Sequence, residues 1–131
     1  MQIKTIIVAE NIIRDFDTNR ISAINIFDAI DVQAFPIFIP NIFVLIISER
    51  KKSEGEEFKV EIVLTFGNKN ILNQTLPIDF QNKLIHRAIL SVQGLTIPEP
   101  GILDCTAKIS DSVEEKVTVH INSSPKVELK K

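Results

Sequence analysis

Few residues of this chain are of types that do chemistry. They are two histidines, His86 and His120, one cysteine, Cys105, and a scatter of acidic groups. A zinc centre needs three or four ligands, often at short spacing. Two histidines and one cysteine, far apart, do not supply it, so solvated or core-edge imidazoles are expected. A nucleophilic cysteine needs an electropositive, partly open setting with a base in reach. Cys105 instead alternates with Leu103, Ala107 and Ile109 on the apolar side of a strand, where it reads as a small buried hydrophobe. A hydrolase or metalloenzyme built on these groups is the weakest functional class.

Asp15-Phe16-Asp17-Thr18-Asn19 has the acidic spacing that opens a calcium loop. The pattern then fails, because Arg20 stands where glycine is needed and Ile26 where a bidentate Glu is needed. A hairpin turn accounts for the same residues. Asp28 and Asp31, three apart within an apolar run, face opposite sides of a strand and cannot share a site. Solvent, an edge or a bulge explains them, or a buried Asp paired with Arg14 or Arg20. No P-loop, G-x-S-x-G or G-x-G-x-x-G occurs among the four glycines. No catalytic residue, cofactor or metal is expected.

The elements that would position these groups are strands. Phe58, Val60, Ile62, Leu64 and Phe66 alternate with Lys59, Glu61, Val63 and Thr65. Val117, Val119 and Ile121 alternate with Lys116, Thr118 and His120. Turns fall at Asp17-Thr18-Asn19, 51–57, Gly67-Asn68-Lys69-Asn70, Pro98-Glu99-Pro100-Gly101 and Asp111-Ser112. About eight strands result: 2–9, 20–34, 41–50, 57–66, 70–76, 84–96, 102–110 and 115–122. The segment 78–90 fits a helical stripe or a strand, and a loop or short helical turn over 78–83 followed by a strand is favoured. The expected fold is all-β: an antiparallel two-sheet sandwich of immunoglobulin-like or Greek-key type. It would span 1–124 as one domain, with a polar tail over 125–131.

Composition narrows the partners. All eight aromatics are Phe, with no Trp or Tyr, and the formal net charge is −2. That argues against a sugar- or base-stacking platform and against phosphate neutralisation, so no nucleic acid is expected. The basic run Arg50-Lys51-Lys52 meets Glu54, Glu56 and Glu57 and reads as a solvated loop. A single cysteine forms no intrachain disulfide. No apolar run reaches the ~20 residues of a membrane helix, and Ile6–Ala9 is too short for a signal peptide. A cytoplasmic location with no membrane is the expectation.

The most unusual segment is Phe35-Pro36-Ile37-Phe38-Ile39-Pro40, an extended connector. It leads into the run 41–48, which is apolar on both faces and so must be covered twice or meet a partner. It is either a core plug at the sandwich end or part of a contact surface, with Phe35, Ile37, Phe38, Ile39, Phe43 and Leu45 as candidate residues.

Ala9-Glu10-Asn11-Ile12-Ile13, Asp17-Thr18-Asn19-Arg20-Ile21-Ser22, Ile24-Asn25-Ile26-Phe27-Asp28, Phe35-Pro36 and Leu95-Thr96-Ile97-Pro98-Glu99-Pro100-Gly101 together resemble a family of uncharacterised small bacterial proteins. The resemblance implies one β-sandwich-like domain and carries over no functional residue. The leading expectation is a non-catalytic interaction module, a homo-oligomer or the binder of a protein partner through an apolar sheet face or edge. A small-ligand site at one end of the sandwich is the alternative.

Overall fold

The computed structural model describes residues 1–124; the tail expected over 125–131 lies outside the described residues. Among the described residues there are nine strands and no helix: β1 (Gln2–Arg14), β2 (Ile21–Ile26), β3 (Ala29–Val32), β4 (Ile37–Glu49), β5 (Glu57–Phe66), β6 (Lys69–Asp79), β7 (Ile85–Ile97), β8 (Gly101–Ser110) and β9 (Val113–Ser123). They form a four-stranded sheet, ordered β2-β1-β4-β7, and a five-stranded sheet, ordered β3-β9-β8-β5-β6. The all-β two-sheet sandwich is as expected.

Three details differ from the sequence reading. The run 20–34 is two strands in different sheets. Its second part, β3, pairs parallel with β9 (Ala29 beside His120, Val32 beside Ser123), so the sheets are not wholly antiparallel. Asn25 sits at φ +54° before that crossing, and the pattern of apolar residues alone gives no sign of the break. In the segment 78–90 the loop-then-strand alternative is what forms, with no helical turn, and the loop is shifted because β6 runs on to Asp79; Gln81 and Asn82 adopt left-handed φ of +50° and +62° and swing the chain into β7. The Phe35–Pro40 connector is partly strand, because β4 begins at Ile37. Pro40 is tolerated there because β1 has already left that side: β1–β4 pairing stops at Ala9 opposite Phe43.

The core lies between the sheets. Val8, Ile42, Val44 and Ile46 on one side meet Val60, Ile62, Leu64, Leu103, Cys105, Val119 and Ile121 on the other, with Phe80 closing one end. Within β4 and β7 the buried side changes partway. Ile42, Val44 and Ile46 are buried on β4, but so is Ile39, which alternation puts opposite Ile42. On β7 the same change falls between Leu90 and Leu95. Both inversions meet at Gly94, whose φ of +78° lets the strand turn its other side inward without losing register.

Among the described residues, no helix is long and apolar enough to cross a membrane.

Candidate functional site

The hairpin β1–β2 does not stay in its sheet. The Asn19 carbonyl, in the hairpin turn, accepts a hydrogen bond of 2.6 Å from Arg87 Nη1. Arg87 belongs to β7, the edge opposite β2. The inner side of that sheet is filled by the second sheet. The bond therefore carries the hairpin across the outer side, after β1 parts from β4 at Ala9.

Burial agrees. Leu45 is 1 % exposed and Ala9 0 %, yet neither belongs to the inter-sheet core. They lie on the outer side, where Leu45 pairs in register with Ile7 and Ile89. Ile12, Ile21 and Ala23 on the hairpin are half-buried, and none of them packs on the core either. A second, smaller apolar layer is thus closed by the hairpin. This is how the doubly apolar run 41–48 is covered on both faces.

That arrangement corrects the contact surface expected from sequence. Leu45 and Ile39 (8 % exposed) are buried and offer no surface. Phe35 and Ile37 pack on the core as a plug, and Phe43 is half-buried. Only Phe38, 65 % exposed, stands out to solvent. The larger exposure is elsewhere. Phe16, at the hairpin turn, is 95 % exposed, and Ile13, Ile24 and Ile26 on the hairpin are also exposed. Sequence reading put Phe16 in a hairpin turn with Asp15 and Asp17 but did not count it among the contact residues. Its position between Asp15 and Asp17, in a turn that offers it nothing to pack on, was the available signal.

The turn itself is held by Asp15. Its Oδ1 accepts from the amides of Asp17 (2.9 Å) and Thr18 (3.4 Å). The Asp17 amide foremost, then the Thr18 side chain and amide, hold its carboxyl below the usual value. The acidic residues once compared with a calcium loop are spent on a turn. Asp28 and Asp31 are exposed; Asp28 Oδ1 accepts from the Ala29 amide and Asp31 Oδ1 from Asn122 Nδ2, and neither pairs with arginine. Among the described residues no group of three His, Cys, Asp or Glu could hold a metal.

The other candidate groups are dispersed. Cys105 is buried in the core, and burial pushes its thiol up to about 12. His86 stands on β7 and His120, exposed, on β9, in different sheets. His86 lies edge-on to Phe80 with ring centroids 5.7 Å apart. Arg50, read from sequence as part of a solvated loop, is instead buried. Its Nε donates to the Lys83 carbonyl (2.8 Å), its Nη1 to the Glu54 carbonyl (3.0 Å), and it lies over the Phe80 ring. It ties the 51–57 loop to the β6–β7 corner.

A cavity of about 440 Å³ opens where the hairpin turn meets that corner. Arg14 and Asn19 line it from the hairpin, and Asp79, Lys83, Leu84, Ile85 and Arg87 from the corner.

The fold and this geometry define an all-β sandwich domain with a hairpin laid over one sheet. The chain belongs to DUF6941, a family of unknown function, whose profile matches residues 4–122. No curated protein and no solved structure matches it significantly.

Proposed function

We propose that this protein is a non-catalytic interaction module that presents the β1–β2 hairpin to a protein partner. The observation that carries the reading is Phe16, a whole aromatic ring at 95 % exposure on a turn braced by Asp15 and Arg87. Solvating a large apolar side chain on an ordered turn has a use when a partner buries it, and aromatic anchors of this kind dominate interface energies. Ile13, Ile24 and Ile26 extend the apolar strip along the same hairpin.

The partner is a different protein with an apolar cleft. The cavity beside the hairpin turn is lined by Arg14, Lys83 and Arg87, which suits an anion rather than a phenyl ring. Burial of Cys105 and the separation of His86 from His120 support a role without catalysis. A cytoplasmic, bacterial setting fits the single buried thiol and the family resemblance.

A photo-reactive residue at Ile26 tests the reading in the native cell, with Lys116 on the opposite sheet as control. One protein is expected to crosslink from position 26 alone, and Phe16→Ser is expected to abolish the adduct without lowering Tm. An adduct indifferent to Phe16→Ser, or only a second copy of the chain, overturns the proposal.

A further inference from the structure

The cavity at the turn of the hairpin has a charge imbalance unusual for a chain of net charge −2. Three cations, Arg14, Lys83 and Arg87, line it against one acid, Asp79. Among the described residues none of the three lies within salt-bridge reach of a carboxylate. Asp79 is partly engaged already, its Oδ1 accepting from the Gln81 amide at 3.0 Å.

The frame is set before any ligand arrives. Lys83 donates its amide to the Phe80 carbonyl (2.9 Å), and its own carbonyl accepts from buried Arg50 (2.8 Å). Arg87 commits Nη1 to Asn19 and keeps the rest of its fork for another acceptor. Leu84 and Ile85, both partly exposed, give an apolar flank. A guanidinium held like that of Arg87 matches an oxyanion geometrically, and Arg14 and Lys83 stand beside it.

We propose that this cavity binds a small oxyanion, a phosphate or carboxylate group, bridging Arg14 of the hairpin to Lys83 and Arg87 of the β6–β7 corner. The two walls belong to elements otherwise joined at this point by the Arg87–Asn19 bond. A bridging anion braces the hairpin against the sheet. This site is independent of the partner proposed for Phe16.

The test is an amide-shift titration of the whole chain with inorganic phosphate, and separately with acetate, at constant ionic strength set with chloride. Saturable shifts confined to 14–20 and 79–87 are expected, with slower hydrogen exchange along the hairpin. Arg14→Gln and Lys83→Gln, both at exposed positions, each weaken binding by about tenfold, the effect of one lost charge-assisted contact. Saturation with phosphate alone or acetate alone assigns the oxyanion type and supports the site. Shifts that stay linear, that chloride reproduces, or that survive in both variants overturn it.

Discussion

Ser48 on β4 and His86 on β7 face each other in register, and each carries a buried polar atom without a partner among the described residues: Ser48 Oγ and His86 Nδ1. Ser48 is fully buried. A hydroxyl removed from water and left unpaired is a local penalty of about 1–3 kcal/mol. Ser48→Ala is therefore expected to raise stability by about 1 kcal/mol in chemical denaturation. A loss of similar size would show that an ordered water satisfies both atoms instead.

The same pair predicts a pH dependence. Burial holds the His86 imidazole below its ordinary value of 6.5, Arg14 adds to that, and Asp79 opposes it. The folded chain then keeps His86 neutral where the unfolded chain already takes up a proton. Stability is full above 6.5 and declines as pH falls from there through the folded value. The lowered carboxyls of Asp15 and Glu54 add their own loss only at lower pH, below the ordinary carboxylate range. Urea midpoints measured across this range should fall less for His86→Gln than for the parent chain between about pH 6.5 and 5. Parallel curves would remove His86 from the account.

Leu45 tests whether the hairpin covers the sheet. Its 1 % exposure on the outer side depends on that cover. Leu45→Ala is expected to cost about 2–5 kcal/mol, as for a core leucine. Ile26→Ala, at a position 56 % exposed, should stay under about 1 kcal/mol. Equal small losses would mean that the outer side is open to water.

Gly94 carries the inversion of β4 and β7. A Cβ there meets only the Phe38 ring at 3.4 Å, so space is not the constraint; φ of +78° is. Gly94→Ala should lose about 1 kcal/mol or more. Gly55→Ala, with open space and no left-handed φ, should be neutral or gain slightly. Thermal denaturation of the two variants side by side decides it.

Period-two alternation made β5, β8 and β9 legible, because each has one core side and one wet side. The same rule exposed the anomaly of 41–48 but could not say what covered it. The cover is a hairpin that folds back from Ala9, and no local pattern encodes that return. The surface named from sequence failed at Leu45 and Ile39 for this reason: hydrophobicity marks what is buried, not by what. Arg50 was misread because a charge looks solvated until carbonyls from two separate loops, at Glu54 and Lys83, are seen to converge on it. Phe16 was overlooked because a place in a turn does not by itself say whether a side chain folds back onto the protein or stands in water.

The parallel seam between β3 and β9 has a consequence for how the chain is born. Asp31 and Asn122, joined across it, are 91 positions apart. At about 5–20 residues per second, β3 waits for seconds on the ribosome before its neighbour has been made. Ile30 and Phe27, which pack on the core, have no finished core to enter until then. Closure of this flank is thus tied to the synthesis of β9, and a nascent chain stalled before β9 would hold an open flank for chaperones to guard.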